Sequence, residues 1–518
     1  MHRCILVSIL GIAMTLGCQR PCTDAPTAAK SDDPACCCEV SRSQLVALLV
    51  DDKPAASGDW PLFGGTLQRN MANTIDKNIA IDWAVEPGKQ KNIKWQALVG
   101  SKCYGGPVVA DGKVFVGTNN GNPRDPKISG PKAIVMAFNE ADGKFLWQIV
   151  HDYPADELFH EAIPVGMCST PAVDGKRVYY VTPACEVICA NTTDGKIDWR
   201  FDMMKELKVV PYHCSNCSPL VVGDLVLVVT GNGVNNDGKV ASPKAPSFVA
   251  FNKATGKIAW QSDLPSATTL EGQWSNPSVA KVNGKDLAIF PGGDAYLYGL
   301  ELATGKLVWK FNCQPQRPAK DDERATPNYM IATPVVHDNK AYIGLGVYPE
   351  HPSGPPFSHL LCVDITKTGD VSPKTLDHKD AKNAGSALVW SYGGKFDPVP
   401  KKGRRVIFGR TISTCAIHDG LVYIAEEQGY MHCLDAKTGQ KYWDYDFKAG
   451  IWGSAYYVDG KVYIGTEDGE IVIFKAGKKR EEIAKIDMGE TVASTPVVAR
   501  GVLYVATKSK LYAIAEKK

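Results

Sequence analysis

Two cysteines three positions apart are the residues of this sequence whose type and spacing first indicate chemistry. In the segment PYHCSNCSPL, Cys214 and Cys217 have CxxC spacing, and His213 precedes the first of them. This spacing suits a small redox disulfide or one half of a metal clip. The sequence has no second CxxC to complete a zinc site. Simple packing is the alternative, because a free cysteine behaves as a small apolar residue.

A run of three cysteines, Cys36, Cys37 and Cys38, is the second candidate for cysteine chemistry. In an exported protein such cysteines are more often disulfide or redox partners than metal ligands. Three adjacent cysteines cannot all pair with one another, so pairing between chains stays open. None of the 16 cysteines lies in a CxxCH motif, so covalent c-type haem is not expected.

The N-terminus has the features of an export signal. In MHRCILVSILGIAMTLGC a short basic start precedes an apolar run of about fourteen residues, which is too short for a transmembrane helix. We predict a signal peptide over residues 1–17 and lipidation of Cys18, because Gly17-Cys18 is typical of the end of a bacterial lipobox. Plain secretion and an uncleaved anchor are the alternatives. One lipidated cysteine would hold the protein at a membrane surface without crossing it.

Composition separates a tether from a globular body. Residues 18–57 are predicted to be a flexible, cysteine-rich tether, because Ala, Pro, Ser and Asp dominate them. The whole chain of 518 residues is 44% hydrophobic, which suits several domains or one large repeat fold. Its formal net charge of +2 creates no strong acidic or basic field, so nucleic acid is not expected as a partner.

The body of the chain repeats one unit. Each unit begins with a phrase of small residues and proline, followed by two β-rich strands joined by a turn such as D-G. Such turns between apolar runs are strong hairpin signals. A third strand, a T-G turn and a strand with Trp complete the unit, as in residues 169–199. The opening phrase occurs eight times, beginning at Tyr104, Cys168, Cys217, Ser275, Ala332, Ser413, Trp452 and Ser494.

Tryptophan marks the last strand of most units and shows how the repeat closes. The six marked strands carry Trp147, Trp199, Trp260, Trp309, Trp390 and Trp443. The eighth unit ends one strand short, whereas NIKWQALVG, with Trp95, is a Trp strand that no unit precedes. We therefore predict an all-β, eight-bladed β-propeller over residues 92–518, with its last blade completed by the N-terminal strand. Residues 58–91, which contain DWPLFGGTLQRN, are predicted to be a lead-in segment that packs on the propeller.

The repeated phrases [ST]-P-V-V-x-D-G-x-V-Y-V-G and A-x-[TD]-G-K-x-x-W resemble those of the PQQ-repeat, or quinoprotein-like, β-propeller family. The resemblance covers residues 92–518. That family includes PQQ- and calcium-dependent alcohol dehydrogenases, the BamB outer-membrane assembly scaffold and envelope lipoproteins. The resemblance therefore implies the fold but separates these activities poorly. For an enzyme it would imply PQQ and calcium as cofactors.

Two residues match metal-binding segments of the family's enzymes. Asn232 in VVTGNGVNND resembles the asparagine of their TGN segment, and Glu186 in TPACEVICA resembles their ligating glutamate. Calcium prefers oxygen ligands of this kind. A plain N-G turn and a solvated strand glutamate are the alternatives.

Two other features depart from the enzymes. Ser275 follows Trp274 where the enzymes carry a catalytic aspartate, and a serine hydroxyl is not a base near neutral pH without help. The adjacent cysteines of the enzymes' first blade are missing from VFVGTNNGNPRDP. A shifted loop leaves Asp263 as an alternative base. We therefore expect no standard dehydrogenase activity and assign no catalytic residue.

The tryptophans that occur once per blade are interpreted as packing between blades. Trp274 and Trp452 lie outside that pattern, so they are the candidates for a cofactor- or ligand-facing surface. We expect an exported protein, anchored at a membrane through its lipid, that binds an envelope protein or a small ligand on one propeller face. A periplasmic PQQ- and calcium-dependent dehydrogenase of an alcohol or sugar and a cysteine-based redox protein are the alternatives.

Overall fold

The structure is a computed structural model that describes residues 58–153, 165–235, 237–316, 330–346 and 357–516, all within the compact unit Leu48–Lys518. The predicted signal peptide, the lipidation site Cys18, the tether and the three cysteines Cys36, Cys37 and Cys38 lie outside the described residues.

Eight sheets follow one another along the chain, each built on four antiparallel strands, and these are the eight predicted blades. Two strands precede the first complete blade, β1 (Ala72–Asn73) and β2 (Ile93–Leu98). Blade 1 contains β3 (Val108–Ala110), β4 (Lys113–Asn119), β5 (Ala133–Asn139) and β6 (Phe145–His151). Blade 2 contains β7 (Ala172–Asp174), β8 (Arg177–Val181), β9 (Glu186–Asn191) and β10 (Ile197–Asp202). Blade 3 contains β11 (Leu220–Val222), β12 (Leu225–Val229), β13 (Phe248–Asn252) and β14 (Ile258–Ser262).

Blades 4 and 5 each carry a fifth, outer strand. Blade 4 contains β15 (Ser278–Val282), β16 (Lys285–Pro291), β17 (Tyr296–Glu301) and β18 (Leu307–Asn312). Blade 5 begins with β19 (Val335–His337), β20 (Lys340–Gly344) and β21 (His359–Asp364). The next strand, β22 (Gly369–Asp370), leaves blade 5 and pairs with β18 of blade 4. Blade 5 is then completed by β23 (Leu388–Lys395) and β24 (Val406–Phe408).

Blades 6 to 8 return to the simple unit. Blade 6 contains β25 (Ala416–His418), β26 (Leu421–Ala425), β27 (Tyr430–Asp435) and β28 (Lys441–Asp446). Blade 7 contains β29 (Tyr456–Val458), β30 (Lys461–Gly465), β31 (Glu470–Lys475) and β32 (Glu482–Asp487). Blade 8 contains β33 (Val497–Ala499), β34 (Val502–Ala506) and β35 (Lys510–Ile514).

The N-terminal strand β2 is the fourth strand of blade 8. It pairs antiparallel with the C-terminal strand β35, and Trp95 lies opposite Ala513. This pairing confirms the closure predicted from the unpreceded Trp strand. It also leaves neither end of the repeat with an unpaired blade edge.

Helix is scarce among the described residues, as the strand patterns predict. It consists of α1 (Met203–Leu207) and two short 3-10 turns, Ser266–Thr268 and Ala381–Asn383. Asp202 caps α1 by accepting a hydrogen bond from the Lys205 amide. In the described ranges no helix has the length and apolarity needed to cross a membrane.

All but one of the fourth-strand tryptophans donate to the turn between the third and fourth strands of the next blade. The exception is Trp309, whose buried indole nitrogen has no hydrogen-bond partner among the described residues. Trp147 of β6, for example, donates its indole N–H to the Thr192 carbonyl, and Trp260 of β14 donates to the Leu302 carbonyl. The turn glycine lies against the ring: a Cβ on Gly195 would stand 2.9 Å from Trp147. The same donation is made by Trp95, Trp199, Trp390 and Trp443. Packing between blades, as interpreted from the sequence, is therefore their role.

The small-residue phrase that opens each unit forms a second connection between blades. In each blade one residue of the phrase lies beside its equivalent in the next blade, so that the Thr170 amide donates to Ser218 Oγ and the Thr414 amide to Ser454 Oγ. We call this set the inner belt; its members are Gly106, Thr170, Ser218, Asn276, Thr333, Thr414, Ser454 and Thr495. Side-chain oxygens bridge every seam from blade 1 round to blade 8. The seam from blade 8 to blade 1 lacks this bridge, because Gly106 has no side chain.

The start of the lead-in segment, residues 58–76, runs round the axis of the propeller, and we call it the plug. It hydrogen-bonds the free edges of the first strands: the Val173 amide donates to the Pro61 carbonyl, and the Val336 amide to the Gln68 carbonyl. Blade 7 is joined through β1, which pairs with β29. The other blades are contacted through Gly58, Trp60, Leu67, Arg69 and Asn70. The plug thereby satisfies edge groups that an empty channel would leave unpaired.

Candidate functional site

The two faces of the propeller differ in their connections. Tight D-G and T-G turns lie on one face, which we call the turn face. The longer connections, such as Asn119 to Ala133 and Ser262 to Ser278, lie on the opposite face, the loop face. Because loops on a rigid scaffold commonly carry binding residues, the loop face is where a site is expected.

Eight equivalent residues surround the channel on the loop face, each two positions before a residue of the inner belt. We call them the mouth ring; in blade order they are Tyr104, Cys168, Asn216, Trp274, Ile331, Ile412, Trp452 and Ala493. The plug contacts residues on the other side of the belt, such as Val109 and Val173. The belt therefore separates the mouth ring from the plug, and the channel is approached from the loop face.

A pocket of about 280 Å³ lies in the mouth ring between blades 7 and 1. Its walls include Trp452 and Tyr104, whose ring centroids are 5.2 Å apart at an angle of 47°. Blade 8 lies between these two blades, and its mouth residue is the small Ala493. The aromatic rings of blades 7 and 1 meet because this intervening residue leaves room for them.

The pocket carries an uneven set of charges. Lys102 and Lys508 line it, and neither forms an ion pair within the described part of the chain. Glu467 also lines it, but this carboxylate accepts the indole N–H of Trp452. The bond fixes the plane of the indole but leaves the carboxylate its negative charge, so Lys102 and Lys508 together give the pocket an excess of one positive charge.

Trp274, the other ligand-facing candidate, is placed differently. Only 8% of it is exposed, and it packs beside Tyr212 at 5.9 Å and His213 at 6.2 Å between ring centroids. It therefore belongs to a small aromatic cluster under the blade 3 and blade 4 loops. The structure brings Trp274 and Trp452 into the same ring of equivalent residues but not into one pocket.

Glu186 lies at the start of β9, where it forms an ion pair with Arg200 on the neighbouring strand at 3.4 Å. Burial raises the pKa of its carboxyl group. Blade 7 contains the same arrangement, since Glu470 begins β31 and pairs with Lys485 of β32 at 2.7 Å. A cross-strand ion pair that recurs at the same position is a feature of the blade and does not require a metal.

Asn232 follows β12 and is fully buried. Its side-chain oxygen accepts the Val210 amide at 3.1 Å, and its side-chain nitrogen donates to the Ser242 carbonyl at 3.0 Å. These bonds hold the loop after α1 against blade 3. No hydrogen bond or ion pair joins Asn232 to Glu186 in the described ranges, and each has partners that a calcium ion would have to displace.

Ser275 stands where the resemblance places the enzymes' catalytic aspartate. Its side chain forms part of the contact between blades 4 and 5. Its hydroxyl donates to the Ala332 carbonyl of the next blade at 2.5 Å. Ser169 makes the equivalent bond to the Cys217 carbonyl, and Ser413 to the Gly453 carbonyl. The hydroxyl thus repeats a contact between blades.

No disulfide joins Cys214 to Cys217, and both are buried. Cys217 is fully buried and accepts the Val229 amide, and burial raises its thiol pKa to about 12. Cys189, Cys362 and Cys433 share one position in the third strand, each opposite a tyrosine of the second strand. The same position holds Ile473 in blade 7. This equivalence favours packing as the role of these three.

Among the described residues, no group of three or more His, Cys, Asp or Glu side chains is arranged to hold a metal ion. Of the residues that line the pocket, the sequence analysis named Trp452 as a candidate but not Tyr104, Lys102 or Lys508. A signal for Tyr104 was present, because it occupies the same place in its opening phrase as Trp452. The lysines carry no such signal, since their proximity depends on how blade 8 joins blade 1.

The sequence matches the family described as outer membrane protein assembly factor BamB over residues 131–369 and 381–518. The outer membrane protein assembly factor BamB of Yersinia pestis is 23% identical over 325 residues, which are 60% of this chain and 71% of that relative.

Two solved structures share the fold. BamB from Moraxella catarrhalis superposes with a TM-score of 0.52 at 14% identity, over 81% of this chain and 98% of that one. A quinohemoprotein alcohol dehydrogenase from Pseudomonas putida superposes with a TM-score of 0.55 at 14% identity, over 89% of this chain and 82% of that one. At such identities these likenesses establish the propeller architecture and leave activity to the residues of the site.

Proposed function

The chain belongs to the family described as outer membrane protein assembly factor BamB, and from that membership we propose that it is a cell-envelope scaffold that binds a partner on its loop face. The observation that carries the proposal is the family match, which extends over most of the propeller. The mouth pocket supports it, because half-buried aromatic side chains beside unpaired charges are typical of a binding surface.

We further propose that the protein has no standard quinoprotein dehydrogenase activity. Such an enzyme needs a divalent ion beside a quinone and a base for the alcohol proton. The residues present do not fit this arrangement, because Glu186 is paired with Arg200 and the Asn232 amide oxygen accepts the Val210 N–H. Ser275 is bonded to the Ala332 carbonyl and offers no carboxylate.

The dehydrogenase alternative is tested by adding PQQ and calcium to the purified full chain. We expect no change in the PQQ absorbance spectrum and no alcohol-dependent reduction of an electron-accepting dye. Uptake of PQQ at micromolar concentration together with dye reduction would establish an enzyme instead. The cysteine alternative is tested by counting accessible thiols with and without reductant. A redox protein would show more thiols after reduction and fewer again after reoxidation.

The cellular location follows from the predicted anchor, which we propose to be a lipid on Cys18. Cys18→Ser should abolish the incorporation of a labelled fatty acid into the chain. A matched Cys22→Ser variant removes a neighbouring cysteine and should keep the label. Equal labelling of the Cys18 variant and the original chain would reject the lipid anchor at Cys18.

The scaffold role is tested by purifying the full chain from detergent-solubilised envelope and identifying the proteins that accompany it. We expect one or a few envelope proteins in constant ratio, because scaffolds form stoichiometric complexes. Recovery of the chain alone, after mild crosslinking of intact cells, would contradict the proposal.

A further inference from the structure

We propose that the mouth pocket between blades 7 and 1 binds an extended peptide segment of a partner, in which a carboxylate lies beside an aromatic or large apolar side chain. This inference rests on the proposed scaffold function and names the chemistry of the partner that the loop face accepts. It is carried by the shape, the aromatic walls and the charges of the pocket.

The volume of the pocket suits part of a protein partner. At about 280 Å³ it lies at the lower end of the range of roughly 300–1,000 Å³ typical of small-molecule sites, so it has room for one large side chain. Interfaces commonly bind one protruding side chain in a small aromatic pocket. A peptide can place one side chain in the pocket while its backbone continues along the loop face.

The aromatic walls select an apolar or aromatic side chain. Trp452 and Tyr104 are tilted toward each other, so a third ring can pack against them edge to face. The Trp452 indole is held in place by Glu467, and therefore little side-chain freedom is lost on binding. Cys103 closes the floor as a buried, apolar thiol.

The charges select an anion next to that side chain. Lys102 and Lys508 approach the pocket from blades 1 and 8 and outnumber the single carboxylate of Glu467, whose Oε1 is directed to the indole N–H. Two flexible ammonium groups suit a carboxylate, which accepts hydrogen bonds from both. A glutamate, an aspartate or a chain terminus next to a large apolar residue supplies the required pair of groups.

The location of the pocket also favours a bound segment of a partner. It lies above the seam between blades 8 and 1, where the inner belt lacks its side-chain bridge at Gly106. The mouth-ring residues of blades 1, 7 and 8, which are Tyr104, Trp452 and Ala493, line the pocket. A segment seated here would contact blades 7, 8 and 1 together.

The experiment uses the full chain and isothermal titration calorimetry with the peptide acetyl-Gly-Ser-Glu-Phe-Ser-Gly-amide. We expect saturable, salt-sensitive binding, because exposed charge pairs weaken as ionic strength rises. Replacing Glu by Gln or Phe by Ala in the peptide should weaken binding about tenfold, as expected for losing a charge-assisted hydrogen bond or a buried ring. Equal binding of the Gln peptide, or no binding of any peptide, would overturn the proposal.

Variants of the chain locate the site. Trp452→Ala should weaken binding about tenfold and Lys102→Gln or Lys508→Gln severalfold. Ile331→Ala, at the equivalent ring position in blade 5, and Lys285→Gln, on the turn face, are matched controls that should bind as the original chain does. Thermal unfolding midpoints of all variants show that each is folded. Full binding by folded Trp452→Ala would reject the pocket.

One competitor separates a peptide from a small carboxylate. N-acetyl-phenylalanine carries the same ring and charge but cannot follow the loop face, so it should bind at least about tenfold more weakly than the peptide. Equal affinity would assign the pocket to a small molecule and overturn the peptide proposal. The scaffold function would survive that result if an envelope protein still accompanies the chain from solubilised envelope.

Discussion

The indole nitrogen of Trp147 donates a 3.0 Å hydrogen bond to the Thr192 carbonyl and so joins the outer strand of blade 1 to the turn between β9 and β10 of blade 2. The contact explains why the glycine and the tryptophan recur together. The glycine of one blade is the surface on which the tryptophan of the preceding blade rests. The repeated phrase therefore joins blades: its glycine contacts the preceding blade, and its tryptophan contacts the next one.

This relationship predicts a large difference between two glycines of blade 2. Gly195 has a φ of +73°, and an added Cβ would lie 2.9 Å from Trp147, whereas Gly175 has a φ of +59° and open space around it. Gly195→Ala should lower the free energy of unfolding by about 3 kcal/mol, from backbone strain plus overpacking. Gly175→Ala should cost about 1 kcal/mol, from strain alone. Urea unfolding measures both, and equal losses would contradict the seam contact.

A second prediction concerns Arg69, the fully buried cation of the plug. Its guanidinium donates to the carbonyls of Phe63, Ser218 and Pro277 at 2.8, 2.8 and 2.9 Å, and burial lowers its pKa to about 9. Arg69→Met should destabilise the chain by about 3 kcal/mol, because three buried carbonyls lose their donors. Lysine cannot reproduce three diverging donors, so Arg69→Lys should recover only part of the loss.

The measurement for Arg69 is the midpoint of urea unfolding. The control is Arg177→Met, which removes an exposed arginine paired with Asp198 and should cost less than about 1 kcal/mol. An Arg69→Met variant as stable as this control would show that the plug does not stabilise the propeller.

The sequence predicts the blades well because each blade is specified locally. The D-G and T-G turns, the alternating strands and the recurring tryptophans lie within one unit, so their spacing alone indicates four strands. Trp95 indicated how the ring closes, because its strand belongs to no preceding unit and the last unit lacks a fourth strand. Contacts such as Arg69 to Pro277 join residues 208 positions apart, and no local pattern reports them.

The candidate site is less predictable for the same reason. Trp452 stands out because it departs from the repeat, but the pocket beside it exists because Ala493 of the intervening blade is small. Glu186 and Asn232 show that a local sequence match can also indicate a site that the structure does not support. They resemble ligands in single segments, and only the structure shows that Arg200 and the Val210 amide are their partners.

A third prediction tests that interpretation of Glu186. Because Glu186 and Glu470 make equivalent cross-strand pairs, Glu186→Gln and Glu470→Gln should each lower stability by no more than about 1 kcal/mol. Neither loss should depend on calcium. Thermal unfolding with millimolar calcium and with chelator checks this. A calcium-dependent rise in the unfolding midpoint that only Glu186→Gln abolishes would establish a metal site.

A fourth prediction concerns pH and His151, whose ring is buried and bonded to the Tyr180 hydroxyl at 2.9 Å. Burial, reinforced by the charge of Arg200 and opposed by that of Asp152, lowers its pKa from 6.5 to about 4, and the Glu186 carboxylate lies 3.9 Å from His151 Nδ1. The His151 imidazole is therefore protonated below about pH 6.5 in the unfolded chain, but only below about pH 4 in the folded chain. This contribution to stability is complete above pH 6.5 and is lost as the pH falls toward 4.

The expected loss through His151 between pH 7.5 and 5.0 is about 2 kcal/mol, at about 1.4 kcal/mol for each pH unit below 6.5. His151→Gln should reduce the pH dependence of the urea midpoint by that amount. His378→Gln is the control, because this histidine is exposed and stays in solvent in both states. An unchanged pH dependence in His151→Gln would show that the buried ring is not protected from protonation.

The last prediction concerns the seam at which the ring closes. At seven seams a side chain of the inner belt bridges to the next blade, whereas Thr495 of blade 8 meets Gly106 of blade 1, which has no side chain. A Cβ at Gly106 would meet the Thr495 carbonyl at 3.6 Å, an ordinary contact, so a small side chain fits. Gly106→Ser would place a hydroxyl where the Thr495 amide can donate to it, as Ser454 donates to Thr495 at the preceding seam.

Gly106→Ser should therefore raise the free energy of unfolding by about 1 kcal/mol beyond Gly106→Ala, which adds the same Cβ without the hydroxyl. The gain should be largest in slow, ring-opening events, because this seam also joins the two ends of the repeat through β2 and β35. Hydrogen exchange at β35 and urea unfolding of the two variants measure this. Equal stability of Gly106→Ser and Gly106→Ala would mean that the belt contributes through packing and not through its hydrogen bonds.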